Sequence, residues 1–244
     1  MAIEKIVSFQ KISETMFKIQ TTKKNTFGYQ NDLQTFIAGQ FVMLSIPGLK
    51  NIERAYSIAS APKNNRLDFI SVYAADGKFS PALYSLGVSK KIEIKESLYG
   101  TLILRNLLPG KRIWFLCTGT GIAPFLSIIR DQIFDKYEEV ILMHGVRSIQ
   151  EIFYLNLIDK RVTVYPCVSR DPYVNQGRVT DHIKSFTVFD RLSMPIFNKI
   201  HDRIAICGNL DFNNEIIGLL KADAWTLGTA KQPGHFIAEK AFVG

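Results

Sequence analysis

Three short stretches combine residue types suited to a large phosphorylated ligand. In R-A-Y-S, residues 54–57, Arg54 and Tyr56 stand two apart, so a strand would place both on one face and Ser57 on the other. A guanidinium grips phosphate, a tyrosine ring lies against a flat heterocycle, and a serine can hydrogen-bond a ring nitrogen. In T-G-T-G-I-A-P, residues 118–124, Gly119 and Gly121 let the backbone approach a ligand and permit positive φ. The helix behind that loop would offer free amides and a partial positive charge to a phosphate. The stretches H-G-V-R, V-S-R and Q-G-R end on Arg147, Arg170 and Arg178. Three arginines converging beyond neighbouring strands would suit a phosphomonoester, which guanidinium binds through two parallel hydrogen bonds.

Each stretch also has a plainer reading. The loop lacks the third glycine of a dinucleotide fingerprint, with Pro124 in its place, and lacks the G-K-[ST] of a triphosphate loop. Loop arginines can simply be solvated. Tyr56 can be a core residue and Arg54 a surface one. Asp171, the acid that an unphosphorylated ribose would want, reads as a turn residue before Pro172. Cys207 ends an apolar run where the floor of a crevice should lie. It reads as a small buried thiol or a neighbour of a nicotinamide ring, with nothing to mark it as a nucleophile.

The elements that must position these residues fall into two groups. Up to about residue 100 the chain shows six short alternating runs: K-I-V-S-F-Q-K-I, M-F-K-I-Q-T-T, Q-F-V-M-L-S-I, R-A-Y-S-I-A-S, L-D-F-I-S-V-Y and K-I-E-I-K-E-S. Turn residues separate them, which predicts a closed antiparallel barrel. One helix interrupts them in D-G-K-F-S-P-A-L-Y-S-L-G, with Ser80 expected as N-cap, Pro81 as first helical residue and Gly87 as stop. From about residue 110, apolar strands alternate with helical patterns, including S-I-Q-E-I-F-Y-L-N-L-I, and this predicts a parallel sheet with helices on both faces. The expected boundary lies at N-L-L-P-G-K-R, giving domains 1–106 and 107–244.

Composition narrows the function classes. The chain has 244 residues, 47% hydrophobic and 21% charged, as globular domains do. No apolar run approaches the ~18 residues of a membrane span, and Met1–Gln10 lacks the pattern of a secretory leader. Three separated cysteines and four histidines without metal-ligand spacing argue against a disulfide framework, zinc or an iron–sulfur cluster. A reduced, cytoplasmic enzyme is expected. The net charge of +8 would suit nucleic acid, an acidic membrane face or an acidic protein partner, and its scatter, with no long basic stripe, speaks against nucleic acid. A flavin dinucleotide meets the demands of R-A-Y-S and of the Ser80 helix, whose first amides would face its diphosphate.

In order along the chain, R-A-Y-S-I-A-S, D-G-K-F-S-P-A-L, G-T-G-I-A-P-F-L-S-I-I-R, C-G-N and the ending G-H-F-I-A-E-K-A-F-V-G resemble the bacterial ferredoxin–NADP reductases. The resemblance covers nearly the whole chain. It implies an N-terminal antiparallel barrel that binds FAD, followed by a Rossmann-like α/β domain that binds NADP and a tail that returns to the flavin. It assigns Arg54, Ala55, Tyr56, Ser57, Lys78, Phe79, Ser80 and Thr120 to FAD, with Arg54 on the diphosphate, Tyr56 on the ring and Ser57 near N5. At the tail, plant-type members stack a tyrosine on the flavin. Ala241 stands there in this chain and cannot stack, and Phe242 would pack on the adenine. Thr120, Gly121, Arg147, Ser169, Arg170, Arg178, Gly208 and Asn209 fall to NADP, with the three arginines around the 2′-phosphate and adenosine. Ser57, Cys207 and Glu239 are the implied catalytic residues, Glu239 as a carboxylate that relays protons or steadies the half-reduced flavin. The implied activity moves a hydride from NADPH through FAD and single electrons to an acidic ferredoxin or flavodoxin, in a monomeric enzyme. A free flavin reductase, the reductase arm of an oxygenase, and a colourless basic binding protein on a degenerate flavin fold are the rival readings.

Overall fold

The computed structural model describes residues 1–27, 36–49 and 51–240. Its contacts divide the chain into two units, Met1–Gly100 with Ala123–Asp131, and Thr101–Ile122 with Gln132–Gly244.

The first unit holds β1 (Ala2–Lys11), β2 (Met16–Thr22), α1 (Lys24–Phe27), β3 (Phe41–Ser45), β4 (Glu53–Ser57), β5 (Arg66–Val72), α2 (Phe79–Leu86), β6 (Lys91–Ile94) and α3 (Ala123–Asp131). The six strands form one sheet in the order β4-β3-β6-β1-β2-β5, every pairing antiparallel. Period-two alternation turns Phe17, Ile19, Val42, Leu44, Phe69, Ile92 and Ile94 into a common core. The two end strands then meet. Ala59 N–H donates to the Asp68 carbonyl at 2.8 Å, and the hydroxyls of Tyr56 and Ser71 lie 2.8 Å apart. These bonds close the expected barrel, with a seam between β4 and β5 rather than a full ladder. Asp68, buried on β5, gathers Lys18 Nζ at 2.9 Å, Gln20 Nε2 at 2.8 Å and Arg130 of α3 at 2.8 Å. Ser127 of α3 donates to the Ser60 carbonyl at 2.7 Å, so α3 is fastened to the segment that follows R-A-Y-S.

The second unit contains β7 (Arg112–Thr118), β8 (Glu139–Val146), β9 (Val162–Val168), α4 (Val179–Lys184), α5 (Thr187–Leu192), β10 (Asp202–Gly208), α6 (Leu210–Ala222) and β11 (Phe236–Lys240). Its strands run parallel in the order β11-β10-β7-β8-β9. One face packs Trp114, Leu116, Ile141, Met143, Ile204 and Ile206 against Val179, Phe189, Phe212 and Ile216 of α4, α5 and α6. The sequence leaves β11 and α5 unforeseen. β11 adds a parallel edge beside β10, and α5 opens on Phe186 in the left-handed region at φ 61°.

Residues 148–158, expected as a helix, form two short 3₁₀ turns, Ile149–Glu151 and Leu155–Leu157. The reason is which side chains find burial. Ile149, Leu155 and Leu157 stay exposed, while Glu151 is buried and its carboxylate accepts from Arg147 N–H at 2.9 Å. The local turn satisfies a backbone donor that a continuous helix would leave to others.

At the N-terminal end of the sheet Asp202, fully buried, accepts from Arg112, from Trp114 Nε1 at 2.9 Å and from Asn198 N–H at 2.7 Å. Replacing Asp202 with alanine leaves the buried Arg112 cation with only the half-exposed Glu139 carboxylate, at 3.1 Å, and strands two further donors. The expected loss is about 3–5 kcal/mol of unfolding free energy in urea titrations. A loss below about 1 kcal/mol would show that water reaches Arg112 freely.

Candidate functional site

In the first unit, β3 and β4 pair with Val42 opposite Tyr56 and Leu44 opposite Arg54. Arg54 and Tyr56 therefore share one side of β4, and Ala55 and Ser57 the other. Arg54 and Ala55 are exposed, Tyr56 and Ser57 half-buried. Arg54 donates to the Glu53 carbonyl at 2.9 Å and has no carboxylate partner among the described residues. The Tyr56 ring stands edge-on to Phe69 with centroids 6.3 Å apart, and tilted against Phe79 at 5.8 Å. Burial pushes its phenol up to about 12, and its hydroxyl is tied to Ser71. Tyr56 is thus anchored by its tip and half-buried. The core and ligand readings of this tyrosine are compatible.

The Tyr56–Phe79 contact brings β4 to the start of α2. Tyr84 holds that helix on the barrel, edge-on to Phe9 at 5.1 Å, Phe17 at 5.3 Å and Tyr73 at 5.1 Å. Ser80 does not cap the helix as expected. α2 begins two residues earlier than expected, at Phe79, with the exposed Lys78 as its N-cap residue, and the Ser80 hydroxyl accepts from Ala74 N–H at 3.0 Å. The hydroxyl is drawn back into the preceding turn, and no side chain caps the first amides of α2. Those amides, with the nearby cation of Lys78, suit a diphosphate. Ala241 and Phe242 lie outside the described residues.

In the second unit the chain leaves β7 toward β8 on one side and returns as β10 on the other. That is the strand-order reversal at which open α/β sheets bind ligands. Thr118, Gly119, Thr120 and Gly121 line it. Gly119 has φ 52° and opens a 3₁₀ turn, Gly119–Ile122, ahead of α3. The loop glycines were expected to admit a ligand, but Gly121 also admits protein: a Cβ there would stand 2.0 Å from the Cys207 carbonyl oxygen. A Cβ on Gly208 would meet Phe212 at 2.4 Å and Thr118 Oγ1 at 2.5 Å. Asn209 is exposed. Its N–H donates to Thr118 Oγ1 at 3.3 Å, and its side-chain oxygen accepts from Phe212 N–H at 2.9 Å as N-cap of α6.

The arginines gather at the same edge of the sheet. Arg170 N–H donates to the Arg147 carbonyl at 3.0 Å, and Ser169 N–H to the Val146 carbonyl at 3.0 Å, which extends the β8–β9 pairing past the strand ends. Gly177 N–H donates to the Val168 carbonyl at 2.9 Å and brings Arg178, the residue before α4, back beside β9. All three arginines are exposed, and neither Arg147 nor Arg170 has an ion-pair partner among the described residues. Asp171 spends its carboxylate on Ile149 N–H at 2.9 Å, as a turn residue should. The donor set fits a phosphomonoester.

Cys207 and Glu239 are register partners on β10 and β11, and Cys207 in turn pairs with Cys117 of β7 and Cys117 with His144 of β8. These four side chains form one row on the face opposite the α4–α6 core. Burial pushes the Cys207 thiol well above its usual value, aided by the Glu239 charge, so the thiol stays protonated. Burial also lifts Glu239 from 4.5 to about 7, against the pull of the Thr101 and Leu102 amides. The Thr101 N–H lies 3.2 Å from its Oε2. Asn213 Nδ2 holds the Glu239 carbonyl at 2.8 Å. A carboxyl poised near neutrality can both give and take a proton.

Sequence reasoning missed His144. Its Nε2–H donates to the Gly119 carbonyl at 2.8 Å, and burial lowers its pKa to about 4, so a neutral imidazole pins the glycine loop. The signal was available: a histidine at the carboxyl end of the otherwise apolar E-E-V-I-L-M-H-G-V.

Residues 10–101 match the oxidoreductase FAD-binding domain family and residues 115–216 the oxidoreductase NAD-binding domain family. The flavodoxin/ferredoxin–NADP reductase of Rhodobacter capsulatus is 34% identical, over 98% of this chain and 92% of that protein. The ferredoxin–NADP reductase of Pseudomonas aeruginosa is 35% identical, over 98% and 97%. Among solved structures, a ferredoxin–NADP⁺ reductase from Neisseria gonorrhoeae with bound FAD and NADP has the same fold, with a TM-score of 0.88, 24% identity and 98% of each chain covered. With two domain families in the expected order and relatives of this identity along nearly its whole length, the chain belongs to the ferredoxin–NADP reductases.

Proposed function

We propose that this flavoprotein takes a hydride from NADPH onto FAD and passes electrons singly to a ferredoxin or flavodoxin. The observation that carries the reading is the full-length relationship to reductases of that name. The geometry supports it with a helix start whose amides no side chain caps and with unpaired arginines at the carboxyl edge of a parallel sheet. FAD, when bound, supplies an acceptor that takes two electrons together and releases them one at a time. Arg54, Lys78 and the first amides of α2, Phe79 and Ser80 among them, bind its diphosphate. Tyr56 covers its ring, Ala55 and Ser57 flank it, Ser57 hydrogen-bonds it, and Thr120 touches it from the glycine loop. Arg147, Ser169, Arg170 and Arg178 take the 2′-phosphate and adenosine of NADPH. Thr120, Gly121, Gly208 and Asn209 seat the nicotinamide end, and Cys207 packs beneath it as a neutral thiol. Glu239 holds and moves the proton that balances electron transfer. The enzyme acts as a cytoplasmic monomer, and its net charge of +8 draws an acidic partner.

The purified protein should be yellow, release FAD on denaturation, and reduce cytochrome c with NADPH only when ferredoxin or flavodoxin is added. Turnover of free riboflavin without need of either protein would favour the flavin-reductase reading instead. Raising ionic strength should lower kcat/KM for the electron-accepting protein steeply.

Arg170→Ala and Arg178→Ala should each raise KM for NADPH about tenfold or more, with NADH little changed, since each removes a charge-assisted contact of roughly 1.5–3 kcal/mol. An equal loss with both nucleotides would remove the phosphate assignment.

For Glu239 the sign is fixed by the upward shift. Its stabilising contribution is complete below about 4.5 and is lost as pH rises through about 7, where the folded carboxyl ionises. The melting temperature of Glu239→Gln relative to wild type should therefore rise between pH 5 and pH 8. A difference independent of pH would mean that Glu239 titrates normally.

A further inference from the structure

We propose that His182 is a positioning residue for nucleotide selectivity, acting through the loop that carries Arg178. This rests on the reading of Arg178 as a ligand of the 2′-phosphate. The loop runs from β9 to α4, with Arg170 at its start and Arg178 at its end. It folds back on β9 through Val168, whose N–H donates to the Asn175 carbonyl at 3.1 Å and whose carbonyl accepts from Gly177 N–H at 2.9 Å. Val168 is also the register partner of Val146, next to Arg147. One residue thus ties together the chain segments that bear all three arginines.

His182 locks the returning segment. It is buried, 6% exposed, on the turn of α4 after Arg178, and its N–H donates to the Arg178 carbonyl at 3.2 Å. One ring nitrogen, Nε2, lies 3.0 Å from the Gln176 carbonyl, and the other, Nδ1, lies 2.9 Å from the Tyr165 hydroxyl. A carbonyl only accepts, so Nε2 carries the proton and Nδ1 is left to accept from Tyr165. The neutral ring has both nitrogens satisfied and grips the loop two residues before Arg178. Gly177 follows with φ 124°, and a Cβ there would approach His182 Nε2 at 3.4 Å, so the segment between ring and arginine has little freedom. Asn175 adds a second clamp, donating to the Pro166 carbonyl at 3.1 Å and accepting from Arg191. The imidazole spends both ring nitrogens on protein partners. Its work is to hold Arg178 within reach of Arg147 and Arg170.

The test measures steady-state NADPH and NADH kinetics of the FAD-loaded enzyme with an excess of electron acceptor. His182→Phe should raise KM for NADPH about five- to tenfold, the effect of one or two neutral hydrogen bonds. KM for NADH and kcat with either nucleotide should stay within twofold. His182→Gln, whose amide can still donate to the Gln176 carbonyl, should restore part of the preference. Adding His182→Phe to Arg178→Ala should cost nothing further, because the two act on one contact. If Arg178→Ala leaves the NADPH preference intact, the phosphate reading itself fails. If Arg178→Ala abolishes the preference and His182→Phe spares it, or raises both KM values equally, the positioning role is overturned. Should His182→Phe not give folded enzyme, Tyr165→Phe takes its place. A drop in preference of about twofold or more supports the role, and an unchanged preference overturns it.

Discussion

The structure turns on a backbone-to-backbone approach with no room for a methyl group. Gly121 meets the Cys207 carbonyl so closely that any side chain would have to displace β10. β7 and β10 are neighbours in register from Asp202–Arg112 to Cys207–Cys117, so a shift at Gly121 would travel along the whole ladder. The contact lies where the strand order reverses, and it sets the width of the crevice there. His144 and Asn209 reinforce it from either side, one through the Gly119 carbonyl, the other through Thr118.

The two ends of the parallel sheet are finished differently. At the amino end every buried charge is answered. Arg112 has Asp202, and the guanidinium of Arg203 is spent on the carbonyls of Leu108, Pro109, Lys199 and Asp202. At the carboxyl end Arg147 and Arg170 stand unpaired among the described residues, and Glu239 is held near neutrality. Exposed, unpaired cations and a near-neutral carboxyl gathered at one edge are the mark of a binding face on a scaffold stiffened from behind.

Much of this was legible from residue types. The alternation in the six N-terminal runs and the β/α rhythm after residue 110 reflect burial on one face or two, and both sheets followed. R-A-Y-S and the arginines were readable because their polarity breaks an apolar pattern. What was hidden depended on partners distant in sequence. Ser80 looked like a cap because a serine before proline usually is one, yet Ala74 N–H claimed its hydroxyl. Residues 148–158 had helical spacing but buried Glu151 in place of their leucines, because Arg147 N–H needed an acceptor. Glu239 carries no local sign of its raised pKa, which comes from burial. His182 looks like any helix residue until Tyr165 and Gln176 are folded around it.

The seam of the barrel has its own consequence. Five of the strand junctions are ladders, while β4 and β5 are joined by the Tyr56–Ser71 hydroxyl contact and the Ala59–Asp68 bond. Fewer backbone bonds cross this wall than a full ladder would supply, and local opening favours such places. The same wall bears Arg54 and Tyr56. A cofactor held by those two residues would add contacts across the seam and stabilise the folded barrel by mass action.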